Sequence, residues 1–161
     1  WCSDTADALS KLKARDGAIA VLPQPFVTAA SAQISDLRVV MDLNDAWDKV
    51  NSTSKIVTGV IVVRKEFAEK YPEQLKQFIE EYKASVEYTS TNVDETAQLI
   101  ADYGVVASAT IAKKALPKCH IVCYTNNDMK DALKGFLKVL YDQNPKSVGG
   151  SMPEDDFYYE Y

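Results

Sequence analysis

This chain of 161 residues predicts an α/β fold, with strands early and helices late. Three observations carry that reading. Short apolar, β-branched runs stand at residues 18–22, 37–41 and 56–63. Beyond Arg64, apolar residues recur at helical spacing instead, as in Leu75, Phe78, Ile79, Tyr82 and Val86, and again in Met129, Leu133, Phe136, Leu137 and Leu140. Between the first run and the residues that follow it stands Pro23-Gln24-Pro25, a stiff turn that ends a strand and opens a helix.

Taken in order, Ser3-Asp4-Thr5 supplies an N-cap for a helix reaching about Arg15, and Gly17 stops it. The first strand is expected over 18–22 and a helix over about 26–33. A second strand is expected over 37–41, then a short helix capped by Asn44-Asp45 and carrying Trp47. The run 56–63 reads as a fully buried third strand. Pro72 suits the first turn of a long helix. Asn92 with Glu95 makes a capping box for a helix ending near Tyr103-Gly104. Ser108 starts a helix that stops before Pro117, and Asn126 or Asn127 caps the last long one.

Composition excludes several functions. A net charge of −5 with scattered Lys and Arg argues against nucleic acid, whose phosphates demand clustered cations. No apolar run approaches the ~20 residues that span a bilayer. Phosphate-loop, dinucleotide and zinc-protease motifs are all missing. His120, the single histidine, sits between Cys119 and Ile121 and reads as structural. Cys119 and Cys123 with one His leave too few ligands for zinc, so no metal is expected. Asp42, Asn44, Asp45 and Asp48 lack the Gly and bidentate Glu of a calcium loop and serve helix capping better. Acidic and aromatic residues close the chain at Asp155, Asp156, Phe157, Tyr158 and Tyr159; the aromatics are expected to pin the tail and the acids to be solvated.

A strand running into a helix at a Pro-Gln-Pro turn places Pro23, Gln24, Pro25 and Phe26 at the carboxyl edge of a sheet, where open α/β folds bind ligands. Thr58 and Gly59 are the second candidate contact, a hydroxyl beside a residue that permits close approach.

In order and spacing, DGAIAVLPQPFVTAASA (16–32), TGVIVVRKEFAEKYPEQLKQFIEEYKAS (58–85), CHIVCY (119–124) and KSVGGSMPEDDFYY (146–159) resemble the later part of bacterial ABC-transporter substrate-binding proteins. The branch is that of nitrate, sulfonate and taurine binders and of thiamine-pyrimidine-precursor proteins. The resemblance implies a type II periplasmic-binding-protein fold, a short, mostly parallel sheet with a helical C-terminal half. Family members hold the ligand between two lobes, and 161 residues suit one. Residues 1–161 are therefore expected to be a single α/β unit, the second lobe and following helices, with the first lobe preceding Trp1.

The function this implies is a non-enzymatic solute-binding component of an ABC importer. It would take a small anionic or heterocyclic solute, hand it to a membrane permease and need no cofactor. It would sit outside the cytoplasm, in the periplasm or lipid-anchored at the surface, with any anchor outside this chain. Uncovered strand edges would favour self-association. Two alternatives share the fold. One is an enzyme like those of thiamine-pyrimidine synthesis, which would need an active-site histidine and pyridoxal phosphate. The other is a ligand-sensing domain.

Overall fold

The computed structural model describes residues 2–161, and they divide into two compact units. The first comprises the chain up to Val39 together with Tyr82–Val122; the second comprises Val40–Glu81 and Cys123–Tyr161.

In the first unit, α1 (Thr5–Ala14) starts where the Asp4 carboxylate accepts from the Asp7 amide at 2.8 Å. Its Asp7–Lys11 pair, one turn apart, closes at 2.8 Å. Gly17 at φ 69° turns the chain away after it, a conformation that costs glycine little. α2 (Phe26–Gln33) packs on α1 and on α7 (Ala109–Ala115). α7 also packs on α6 (Val93–Asp102), which is stopped by Gly104 at φ 68°. Ala97, Ala112 and Leu116 form the core, with Val93, Ile100 and Val106 packed around it. Alanines at the contact let α6 and α7 approach closely.

In the second unit, α3 (Leu43–Val50) carries Trp47 onto α8 (Asn126–Gln143), where its ring lies 5.7 Å from that of Phe136. The Trp47 indole N–H donates to the Ser54 carbonyl and hydroxyl at 3.2 and 3.1 Å. α4 (Lys65–Lys70) leads into α5 (Pro72–Thr91), whose first half belongs to this unit and whose second half belongs to the first. The C-terminal tail lies along α8: Tyr158 is buried, and Asp155 and Glu160 pair with Lys130 at 3.4 and 3.1 Å.

The α/β expectation is overturned here. Among the described residues there is no strand, so the expected short parallel sheet is not formed. Residues 18–22, 37–41 and 56–63 are irregular, and β-branched members such as Ile19, Val40 and Val62 are largely exposed. Strand propensity measures how well a side chain fits a pleated, half-covered surface; without neighbours to pair with, it makes no ladder.

The expected helices all form, with small differences at their ends. Asp42, two residues before the expected Asn44-Asp45, caps α3 by accepting from the Asn44 amide at 2.8 Å. Asn92 precedes α6 without side-chain capping; its side-chain oxygen Oδ1 accepts from the Thr91 hydroxyl at 2.8 Å instead. The N-cap of α8 is Thr125. No helix among the described residues is long and apolar enough to cross a membrane.

Candidate functional site

The turn that opens α2 has defined geometry. The Gln24–Pro25 peptide is cis. The Gln24 side-chain oxygen accepts from the Thr28 hydroxyl at 2.8 Å and lies 3.4 Å from the Thr28 amide. Thr28 is buried, so this oxygen satisfies two donors at the start of the helix and holds the amide plane of Gln24 fixed. The Pro23 carbonyl accepts from Val27 at 3.2 Å and that of Pro25 from Ala29 at 2.9 Å. Pro23 is exposed, whereas Gln24, Pro25 and Phe26 are half-buried.

Thr58 and Gly59 belong to the second unit and are exposed there. A Cβ added at Gly59 meets nothing within 4 Å. The close approach that glycine permits is found elsewhere, at Gly135 of α8, whose added Cβ would lie 2.9 Å from the Ser54 Cβ.

Two grooves accompany these residues, one in each unit. In the first, a groove of about 430 Å³ between α5 and α6 is lined by Ala84, Ser85, Tyr88, Thr89, Thr96 and Leu99. On its rim the Tyr88 hydroxyl donates to the Glu95 carboxylate, and that bond, with some burial, holds the phenol above its ordinary pKa. The phenol therefore stays neutral at physiological pH, a hydrogen-bonding group beside three aliphatic hydroxyls. Sequence reasoning missed this face of α5, having followed only its apolar stripe through Leu75, Phe78 and Tyr82. The signal was present in Ser85, Tyr88 and Thr89 at spacings of three and four. In the second unit a smaller groove of about 270 Å³ runs between residues 61–63 and the side chains of Phe67, Gln74, Leu75 and Phe78.

His120, on which the thiamine-synthesis alternative depends, is exposed and has a left-handed backbone at φ 49°. The three cysteines are free thiols. The Cys119 thiol donates to the Ala115 carbonyl at 3.3 Å, and burial pushes its pKa up. No cluster of three or more metal-ligating side chains occurs among the described residues. The tail acids are exposed and also ion-paired: Asp155 with Lys130 and Lys134, Asp156 with Lys65.

Comparison with curated proteins returns no match. Among solved structures, one described as an ABC transporter from Parabacteroides distasonis is similar with a TM-score of 0.72 at 23% identity. The match covers 98% of this chain and 54% of that one, so this chain spans about half its length. At that identity the likeness is one of fold. A family model described as menaquinone biosynthesis matches residues 5–141.

That match overturns the assignment to the substrate-binding proteins and, with it, the role of solute carrier in an importer. It also overturns the permease as partner, the transport and lipoprotein readings that rested on it, and the expectation that the protein is not an enzyme. The misreading has a physical cause. The proline turn and the glycine- and aromatic-rich tail report how the backbone runs, and one backbone serves several chemistries. The chain belongs to the menaquinone biosynthesis family.

Proposed function

We propose that this chain is part of an enzyme of menaquinone biosynthesis and that Gln24 binds an oxygen of its small-molecule substrate. The observation that carries the pathway is the family match over residues 5–141. Support for the residue comes from the turn. With its oxygen held by Thr28, the Gln24 amide cannot flip, and its nitrogen presents two donors in a fixed direction. A preset donor of this kind loses little freedom when it meets a carbonyl or carboxylate oxygen. Pro23, Pro25 and Phe26 are the apolar neighbours such a contact needs, and two prolines limit the motion of the turn.

Deleting the gene in its source organism tests the pathway. Menaquinone should vanish from the lipid extract, as read by mass spectrometry, and return with the intact gene. Unchanged menaquinone after deletion refutes the pathway. Complementation with Gln24→Leu tests the residue: it removes the donors at similar volume and should cut menaquinone sharply while protein abundance holds. Full recovery with that variant refutes the role of Gln24 alone.

A further inference from the structure

We propose that residues 151–161 form a latch on α8, hinged at Gly149–Gly150, that opens and closes as a unit while the helices of the second unit stay folded, with ionic strength as its control. Gly149 and Gly150 stand at φ 82° and 95°, two successive left-handed positions that glycine takes at little cost. A Cβ added at either would meet nothing within 4 Å. Their amides donate to the Lys146 and Pro145 carbonyls at 3.3 and 2.8 Å, which fixes the turn at the hinge. Beyond it the main chain has no such anchor. Among the described residues, the backbone–backbone bonds of 151–161 outside helices run from Phe157 to Glu154 and from Tyr158 to Asp155, both internal to the segment. Adjoining positions that can absorb a change of direction are what a hinge requires.

The latch is held chiefly by charge. Asp155 pairs with Lys134 at 3.0 Å and with Lys130 at 3.4 Å, Glu160 with Lys130 at 3.1 Å, and Asp156 with Lys65 at 3.5 Å. All three carboxylates are exposed, so dissolved salt screens these pairs. The ammonium groups of Lys130 and Lys134 also lie 6.0 and 5.9 Å from the centre of the Tyr158 ring. The Asn126 side-chain oxygen accepts from the Tyr161 amide at 2.9 Å. The ring contacts of the segment stay inside it, Phe157 with Tyr158 and Tyr159 with Tyr161, so it moves as one piece.

Tyr158 is the weak point. It is the one buried residue of 151–161, and its hydroxyl, buried with it, has no hydrogen-bond partner. A phenol that meets water when the latch opens and no partner when it closes disfavours the closed state. Phenylalanine would fill the same place without that penalty. Opening leaves Lys130 and Lys134, one turn apart on α8, without the acids that neutralise them in the closed form.

The test follows the Tyr161 amide of the full chain by hydrogen exchange, because its bond to Asn126 reads the closed state directly. Raising potassium chloride from about 0.05 to about 1 M should speed that exchange at least about threefold, while amides inside α8 keep their rates. Tyr158→Phe keeps the ring and should slow the exchange at low salt at least about fivefold. Asp155→Asn combined with Glu160→Gln should speed it and remove most of the response to salt. A Tyr161 amide that exchanges no faster than those of α8 overturns the proposal, since the tail would then open only with the whole unit. So does exchange indifferent to salt, a Tyr158→Phe chain that exchanges as fast as the parent or faster, or a double variant with the parent's full salt response. Circular dichroism checks the helices of each variant; where they are lost, the salt series on the parent chain decides alone.

Discussion

Replacing Gly135 by alanine sets two effects of similar size against each other. In a helix interior, alanine is favoured over glycine by about 0.8–1.0 kcal/mol. Gly135 lies within α8 at an ordinary helical position, so on propensity alone the variant gains stability. The added Cβ, however, would stand 2.9 Å from the Ser54 Cβ, 3.3 Å from the Ser54 Cα and 3.3 Å from the Thr53 carbonyl oxygen. Two of those atoms are backbone, and the third is the first atom of a buried side chain, so none can swing aside. The Trp47 indole, bonded to the Ser54 carbonyl and hydroxyl, holds the loop against α8. Forcing a methyl group into such a contact costs about 1–3 kcal/mol. The steric term at least cancels the helical gain, leaving a net loss of up to about 2 kcal/mol. At about 2–4 °C per kcal/mol for a chain of this size, Tm should fall by up to about 8 °C in a thermal scan. Gly59→Ala is the control, because its Cβ meets open space and its φ lies outside the left-handed region; it should stay within about 0.5 kcal/mol of the parent. Combining Gly135→Ala with Ser54→Gly removes the closest clash, so the double variant should lose less than the two single losses together. A Gly135→Ala protein more stable than the parent would refute the close-approach argument.

Three further outcomes follow from the same contacts. Trp47→Phe keeps the aromatic contact with Phe136 and removes the donor to buried Ser54; urea unfolding should show a loss of about 1–3 kcal/mol, and an unchanged midpoint would mean that the donation carries no weight. The Lys134 hydrogen bond, then the charges of Lys130 and Lys134, hold the Asp155 carboxyl below its ordinary range. A depressed carboxylate pKa contributes above the unfolded value of about 3.9 and is lost as pH falls through the folded value, so Tyr158 ring-proton shifts should report tail release in acid; Asp155→Asn should remove that transition, and a midpoint above pH 5 would contradict the direction. Burial raises the Cys119 thiol pKa, so iodoacetamide at pH 8 should label exposed Cys2 well before Cys119, as read by peptide mass spectrometry; equal rates would show the thiol to be accessible.

What could be read from the residues was local. Asp4 before Thr5, Gly17, Pro72, Gly104 and Pro117 each act within one turn of themselves, and the helix ends they mark lie within a residue or two of expectation. The misplaced caps are instructive for the same reason. Asp42, Asn44 and Asp45 are all good N-caps, and only the backbone decides which one reaches an amide. Whatever depended on partners distant in sequence was illegible. The run 56–63 has the composition of a buried strand and no strand beside it. Gly135 meets Ser54 across eighty residues of sequence, and neither residue type announces the contact.

Function was illegible for a related reason. A proline turn followed by a helix tells where the backbone goes, and a protein described as an ABC transporter shares that course at 23% identity. What separates a biosynthetic family from such a neighbour must lie in side chains whose direction the fold sets. Gln24 is the side chain we propose for that role. Its bond to Thr28 is an i to i+4 contact, the one part of the candidate site with a local signal, since a glutamine four residues before a threonine at a helix start can close on it. Identifying the turn required only its prolines. Recognising that its glutamine is held in one orientation, the observation on which the proposed contact with a substrate oxygen rests, required seeing that Thr28 is buried and bonded to it.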